Sequence, residues 1–312
     1  MDISLIICSY NRAHNLDACF QHLLAQKNSA DITWELILVD NNSTDNTRAL
    51  VEKYANESTL NIRYSFEAQQ GLSYARNHGI AQAEGTWVAF IDDDIRVCDV
   101  WLKTLHDTFL QYDCDAVGGR IHIESPQSLP AWISPDMYGF LGHQDFGEQP
   151  HQMDGYSEFP FGGNMAVHRR VFDKIGVFDT QLGRRGEGSK SEELFKGEET
   201  DFFHRLADSG GNFRYHPKIL VLHKILPYQL EKKFFLSLHK NAGILKVQQD
   251  TRHHQRTFMG IPLFVYPQYL RSIGHYARKS LCHGRNGAFR QRMNIAYFSG
   301  MIQTYRSTIR QP

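Results

Sequence analysis

Three consecutive aspartates directly follow an apolar run, Trp87–Ile91, in this chain of 312 residues. The run predicts a buried strand that would carry Asp92, Asp93 and Asp94 to the edge of a sheet. Packing like charges together is costly unless a cation neutralises them, and oxygen ligands suit Mg²⁺ or Mn²⁺. Because alternate residues of an extended segment share a face, Asp92 and Asp94 can face one site while Asp93 points away. The motif indicates a divalent-metal site, although a solvated acidic turn would show the same three residues.

The residues around this motif alternate between short apolar runs and helical patterns. The predicted elements include strands over Ile3–Cys8, Glu35–Asp40, Ile62–Phe66 and Trp87–Ile91, a second helix capped by Ser43 or Thr44, and a third helix over Leu72–Ala83. This alternation is typical of an α/β fold with a mainly parallel sheet. In such sheets ligands bind beyond the carboxyl ends of the strands, where the polar clusters at 9–12, 40–43 and 92–94 fall. We therefore expect these three clusters to line one crevice.

The composition is that of a globular protein, with 41% hydrophobic and 22% charged residues. The five cysteines form no close pair, so they predict neither a disulfide framework nor a zinc site and favour a reducing cytosol. We expect no secretory signal and no membrane span, because there is no basic leader and no run of about eighteen apolar residues.

Five motifs, taken together, resemble those of the inverting glycosyltransferases of family 2, which have the GT-A nucleotide-diphospho-sugar transferase fold. In chain order the motifs are Ile6–Arg12, Leu38–Asp45, Gly71–Asn77, Phe90–Asp94 and Gly197–Asp201. The resemblance implies a mixed, mainly parallel sheet flanked by helices in a catalytic domain over residues 1–226. Within it, residues 1–120 would bind the nucleotide-sugar and 121–226 the acceptor. Residues 227–312 would form a basic helical C-terminal extension.

The resemblance also implies roles for residues on the donor side of the site. Asp40 would accept a hydrogen bond from N3–H of uracil or thymine, Arg76 and Asn77 would approach the diphosphate, and Asp92 would contact the ribose or the sugar. The implied nucleotide-sugar-binding set is Ser9, Tyr10, Arg12, Asp40, Arg76, Asn77, Asp92, Asp93 and Gly163. Simpler alternatives stay open, because Asp40 could cap a turn and Tyr10 could pack in the core.

The resemblance assigns the metal and the general base to residues far apart in the sequence. Asp94 and His223 would be ligands of Mn²⁺ or Mg²⁺. Glu199 occupies the position of the family's general base, which is usually an aspartate, so Glu198 stays open as the base. Both glutamates could instead be charges that stabilise a helix N-terminus. The glycine- and arginine-rich segment 183–196 suggests a lid over the diphosphate.

The C-terminal part of the chain carries a strongly uneven charge. Residues 251–312 contain ten Lys or Arg residues and no Asp or Glu, which leaves 24 basic and 34 acidic residues in positions 1–250. This asymmetry suggests an anionic membrane surface as partner. The alternative is that the basic residues pack against the acidic remainder of the chain. No nucleic-acid motif supports a role with nucleic acid.

The sequence therefore predicts an inverting, metal-dependent glycosyltransferase that moves a sugar from a nucleotide-sugar to an acceptor hydroxyl. UDP-sugars are favoured as donors and dTDP-sugars are an alternative. The acceptor would be a glycan or lipid-linked glycan of cell-surface polysaccharide or glycolipid synthesis, at the cytoplasmic face of the inner membrane. Two other functions are considered, a sugar nucleotidyltransferase and a noncatalytic protein that binds nucleotide-sugars or polyanions.

Overall fold

The computed structural model describes residues 1–186, 190, 193–250, 252 and 254–308. These residues divide into two compact units. The N-terminal unit comprises Met1–Pro126, Tyr138–Glu187 and Gly197–Ile225, and the C-terminal unit comprises Gln127–Met137, Gly188–Lys196 and Leu226–Pro312. The division into a catalytic domain over residues 1–226 and a basic helical extension over 227–312 stays a prediction. Part of the predicted lid, at 187–189 and 191–192, lies outside the described residues.

The first half of the N-terminal unit is a parallel sheet with helical crossovers. Its elements are β1 (Ile3–Ser9), α1 (Ala13–Leu24), β2 (Trp34–Asp40), α2 (Thr47–Glu57), β3 (Ile62–Phe66), α3 (Leu72–Gln82) and β4 (Trp87–Asp92). The strands lie in the order β3-β2-β1-β4 and all neighbours are parallel. In this register Ser9 pairs with Asp40, and Cys8 pairs with Asp92. The three predicted polar clusters therefore start at the same edge of the sheet.

The predicted cap of α2 is wrong. The helix begins at Thr47, and Asp45 Oδ1 accepts hydrogen bonds from Thr47 N at 3.0 Å and Thr47 Oγ1 at 2.6 Å. Ser43 and Thr44 instead bind Asn11, because Asn11 N donates to Ser43 Oγ and Thr44 N donates to Asn11 Oδ1. These two residues tie together the loops that follow β1 and β2.

The second half of the N-terminal unit makes the sheet mixed. Its elements are β5 (Ile95–Val97), α4 (Trp101–Tyr112), β6 (Ala116–Glu124), β7 (His151–Met153), β8 (Met165–His168), α5 (Arg170–Ile175), α6 (Glu198–Asp208), β9 (Phe213–Lys224) and a 3-10 turn at Gly162–Asn164. Strand β8 is antiparallel to β4 and β6, β6 is parallel to β9, and β5 and β7 are antiparallel to β9. The predicted mixed α/β fold is confirmed.

Both faces of the sheet are buried, and successive side chains of a strand point to opposite faces. On β1, Leu5 and Ile7 belong to the cluster that α1, α2 and α4 cover, whereas Ile6 belongs to the cluster that α3, α5 and α6 cover. A strand buried on both faces reads as a continuous apolar run, which is why these strands are recognisable in the sequence.

The C-terminal unit is mainly helical. Its regular elements are α7 (Lys232–Gln248), β10 (Thr257–Phe258), β11 (Ile261–Pro262), α8 (Val265–Gly287) and α9 (Phe289–Thr308), with a 3-10 turn at Pro227–Leu230. Helices α7 and α9 pack so closely that two positions have room only for glycine. A Cβ at Gly243 would lie 2.0 Å from Tyr297 O, and one at Gly300 would lie 2.1 Å from Lys240 O. Within the described residues, no helix combines the length and the apolar character needed to cross a bilayer.

Candidate active site

The polar cluster after β1 holds two of the three aspartates. Ser9 Oγ donates to Asp93 Oδ2 at 2.8 Å, and Arg12 Nη1 lies 3.3 Å from Asp93 Oδ1 and 3.0 Å from Asp94 Oδ2. Burial raises the pKa of Asp93 to about 7, although Arg12 favours the charged form. Arg12 and Asp93 therefore contact each other inside the protein, and their roles toward the base and the donor stay predictions.

Asp94 and His223 face each other from adjacent strands. Ile95 pairs with His223 in the antiparallel β5–β9 ladder, which places Asp94 Oδ1 3.4 Å from His223 Nε2. His223 Nδ1 lies 2.8 Å from Leu141 O, and since a carbonyl oxygen only accepts, Nδ1 carries a proton. The lone pair of a neutral ring then sits on Nε2 and points toward the carboxylate. Gly142 makes room for the ring, because a Cβ there would lie 2.8 Å from Nδ1.

The space between Asp94 and His223 favours positive charge. Burial alone would lower the pKa of His223, but Asp94 outweighs it and the pKa lies above its ordinary value. Burial alone would raise the pKa of Asp94, but His223 and Arg12 outweigh it and the pKa lies below its ordinary value. Asp94 Oδ1 is buried without a hydrogen-bond partner among the described residues. An imidazole nitrogen and a carboxylate oxygen with this spare capacity fit a divalent cation. Among the described residues, however, no group of three or more His, Cys, Asp or Glu side chains surrounds one point.

Arg76 joins α3 to the start of α6. Its side chain is 2% exposed, with Nη1 3.2 Å from Glu198 Oε1, Nη2 3.2 Å from Glu199 Oε1 and Nη2 3.9 Å from Asp92 Oδ1. Burial disfavours a charged guanidinium, but the surrounding carboxylates outweigh this effect and keep Arg76 charged. The guanidinium of Arg76 therefore positions three carboxylates, and its approach to a diphosphate stays a prediction.

Glycine at position 162 is required by this cluster. A Cβ there would lie 1.9 Å from Glu199 Oε1 and 2.2 Å from Arg76 Nη2. A Cβ at Gly163 would lie at the ordinary contact distance of 3.4 Å from Asp92 Oδ2. The backbone of this turn therefore forms one wall of the space that holds Glu199 and Asp92.

The two adjacent glutamates have different environments. The side chain of Glu199 is 27% exposed, whereas Glu198 is buried and its Oε2 has no hydrogen-bond partner among the described residues. Burial and repulsion by Glu199 raise the pKa of Glu198 to about 7, although Arg76 favours its charged form. Of the two carboxylates, Glu199 is the more accessible to a ligand.

Three further predicted residues lie near the strand ends in different roles. Asp40 is buried; its Oδ1 accepts from Ser43 N at 2.8 Å and its Oδ2 from Tyr64 OH at 2.8 Å. The bond from Ser43 N is the one expected if Asp40 caps the turn that follows β2. Tyr10 directly follows β1 and is half-buried. Asn77 binds the backbone of Phe178 through both ends of its amide, at 2.8 and 3.0 Å, and its diphosphate role stays a prediction.

Sequence reasoning gave no site role to two residues that the structure brings forward. Arg184 lies close enough to Asp94, Glu198 and His223 to interact with each electrostatically. Its signal was the cluster of arginines and glycines in segment 183–196. Asn164 accepts from Trp101 Nε1 at 2.9 Å and donates to Ile219 O at 2.7 Å, which secures the end of the glycine turn against β9. A buried asparagine of this kind leaves no periodic signal in the sequence.

Comparison with known proteins gives a family for this chain. The family model described as "Glycosyl transferase family 2" matches residues 4–176. A glucosyl-dolichyl phosphate glucuronosyltransferase of Haloferax volcanii is 27% identical over 241 residues, which cover 74% of this chain and 72% of the relative.

Two solved structures share the fold. A TarS 1–349 structure from S. aureus, in complex with UDP-GlcNAc, superposes with a TM-score of 0.55 at 16% identity and covers all of this chain and 92% of that one. This chain spans 54% of a longer TarS chain. The mannosyltransferase PcManGT of Pyrobaculum calidifontis, in complex with GDP-Man and Mn²⁺, superposes with a TM-score of 0.61 at 14% identity over 97% of this chain and 86% of its own. The expected GT-A architecture is confirmed.

Proposed function

We propose that this chain, which belongs to glycosyl transferase family 2, transfers a sugar from a nucleotide-sugar to an acceptor hydroxyl with inversion at the anomeric carbon. The observation that carries this proposal is the position of Glu199. Its carboxylate is partly exposed, held by Arg76 at 3.2 Å and backed by Gly162, at the same sheet edge as Asp92 and Asp94.

Glu199 is proposed as the general base. It takes the proton of the acceptor hydroxyl while the hydroxyl oxygen forms a bond to the anomeric carbon. The bond from that carbon to the diphosphate oxygen breaks on the opposite side, which gives inversion, and the nucleoside diphosphate leaves with the electron pair. Arg76 holds Glu199 in place through the contact between Nη2 and Oε1 at 3.2 Å. Glu198 is the alternative base, but its buried carboxylate makes it the poorer candidate.

Asp94 and His223 are the proposed ligands of Mn²⁺ or Mg²⁺. When bound, the ion would supply positive charge at the diphosphate and would take its remaining ligands from phosphate oxygens and water. Arg184 is proposed as the protein's own cation for the diphosphate, in place of Arg76, because it lies near Asp94 and His223. PcManGT, with GDP-Man and Mn²⁺ bound, supports this arrangement by likeness of fold.

The donor and acceptor are proposed by class. A UDP-sugar is favoured because the TarS structure that shares this fold contains UDP-GlcNAc, and a dTDP-sugar is the alternative. The acceptor is proposed to be a glycan or lipid-linked glycan, since one relative is named for action on glucosyl-dolichyl phosphate. The reaction is proposed to take place at the cytoplasmic face of a membrane.

Release of UDP from a panel of UDP-sugars, with a bacterial lipid extract as acceptor, tests this proposal. Turnover should fall by roughly 10²–10⁴-fold in Glu199→Gln, the usual contribution of a positioned base. Glu57→Gln, on the exposed end of α2, is the matched control and should keep full turnover. NMR of the product should show the anomeric configuration opposite to that of the donor. A retained configuration, or full turnover in both Glu199→Gln and Glu198→Gln, would refute the proposal. Loss of turnover in Glu198→Gln with full turnover in Glu199→Gln would exchange the two roles.

A further inference from the structure

The C-terminal unit leaves an unusual apolar surface exposed. The hairpin β10–β11 turns at Met259 and Gly260, which both have positive φ, and Met259 is 66% exposed at the tip. The hairpin is tied to the first turn of α8, because Tyr266 OH donates to Phe258 O at 2.9 Å and the two rings lie 6.1 Å apart. Phe258 and Met259 therefore sit beside the start of a long helix.

Helix α8 continues this surface along its length. Leu270 is 65% exposed, Leu281 is 89% exposed, and Ile273 lies exposed between them. Tyr266, Leu270, Ile273, Ala277 and Leu281 are separated by three or four residues and so share one side of the helix. The side that faces the protein is a different one, marked by the buried residues Val265 and Ser272. We define the apolar face as Phe258, Met259, Tyr266, Leu270, Ile273 and Leu281.

Basic residues flank the apolar face. Arg271 and Arg278 are seven residues apart, so they lie on one side of α8 next to the apolar face. Lys279, seven residues after Ser272, lies on the same side of the helix as Ser272 but is exposed. All three are exposed and form no ion pair with the described residues. Residues 251–312 contain no Asp or Glu, so no acidic group in that stretch offsets this charge.

We propose that the apolar face docks on a bilayer that carries anionic phospholipid, with α8 lying in the plane of the interface. An amphipathic helix with large apolar side chains on one side and Arg or Lys beside them binds an interface through both burial and charge. A second copy of the chain fits less well, because contact through this same face would bring the basic residues of both copies together. The surface lies outside the active site. Its biological use rests on the proposed membrane-side reaction, but its binding needs neither donor nor acceptor.

Flotation of the full-length chain with phosphatidylcholine vesicles, with or without phosphatidylglycerol, tests the docking surface. Binding should require phosphatidylglycerol and weaken as salt screens the surface charge. The variant Arg271→Glu, Arg278→Glu, Lys279→Glu should lose on the order of a hundredfold in affinity, since each Lys or Arg near an anionic surface contributes about a fivefold factor. The matched control reverses Lys27, Arg48 and Lys53, which are exposed in the N-terminal unit, and should lose far less.

The apolar part of the surface has its own variants. Leu270→Asp with Leu281→Asp should reduce vesicle binding by at least about tenfold through lost burial. Leu110→Asp is the control, because Leu110 is 64% exposed on α4 of the N-terminal unit. In Leu281→Trp, the emission of the added tryptophan should shift to the blue with phosphatidylglycerol vesicles.

Two outcomes would overturn the docking surface. One is vesicle binding that is absent, or that survives both sets of variants. The other is a dimer, seen by light scattering, that Leu270→Asp dissolves while vesicle binding is unaffected. UDP binding measured on the same samples separates this result from the proposed function, because the variants leave the active site intact.

Discussion

Glu198→Gln should change the pH dependence of stability in a defined direction. Burial and repulsion by Glu199 raise the pKa of Glu198 from its ordinary value of 4.5 to about 7 in the folded chain. The pKa of Glu198 is higher in the folded chain than in the unfolded chain. Glu198 therefore makes its full contribution to the free energy of unfolding below about pH 4.5, and this contribution is lost as pH rises through 7. A difference of this size corresponds to about 3 kcal/mol.

Urea denaturation at a series of pH values, without metal or nucleotide, measures this effect. Glutamine keeps an oxygen that can accept from Arg76, but its amide group lies where Glu198 Oε2 has no partner. Any cost of that amide does not depend on pH, so the informative quantity is the difference in unfolding free energy between variant and wild type as a function of pH. This difference should rise in favour of Glu198→Gln by up to about 3 kcal/mol between pH 4.5 and 7. Glu57→Gln should give no comparable rise. A flat difference for Glu198→Gln, or one that falls with pH, would refute the reasoning.

Two further predictions concern the walls of the site. Gly162→Ala should lower turnover at least about tenfold while UDP binding persists, because the added Cβ would displace the Glu199 carboxylate. Gly139→Ala is the control and should remain active, because a Cβ at Gly139 meets no atom within 4 Å. Equal activity of the two variants would exclude a positioning role for Gly162. Asp40→Ala should weaken UDP binding by about 1–3 kcal/mol more than GDP binding if Asp40 accepts a hydrogen bond from N3–H of uracil. Equal losses for UDP and GDP, measured by titration calorimetry, would show that Asp40 only stabilises its turn through Ser43.

The sequence was sufficient to predict how the strand ends converge. Strands β1, β2 and β4 are mostly apolar and end in polar residues, so their carboxyl ends were expected at one edge of the sheet. The pairing of Ser9 with Asp40 confirms this expectation. The charged partners were harder to predict. Arg76 and Glu198 are 122 residues apart in the chain, and no local pattern indicates that a helix arginine is buried by glutamates of another helix.

Two further features of the structure could not be predicted from local sequence patterns. Gly243 and Gly300 look like weak points in helices, yet they let α7 and α9 approach closely. Asn77 follows Arg76 in a motif that suggested phosphate binding, but the backbone of Phe178 lies within reach of its amide. Contacts of this kind depend on tertiary packing, which spacing along the chain does not encode.

Calorimetric titration of UDP with and without Mn²⁺ tests the central claim most directly. Wild-type protein should bind UDP tightly only when Mn²⁺ is present, and Asp94→Ala and His223→Ala should each abolish that dependence while their melting curves stay cooperative. His216→Ala, at another histidine of β9, is the matched control and should bind as the wild type does. UDP binding that is equally tight without a divalent ion, or that is unchanged in Asp94→Ala, would contradict the assignment of Asp94 and His223 to a metal-dependent nucleotide-sugar site.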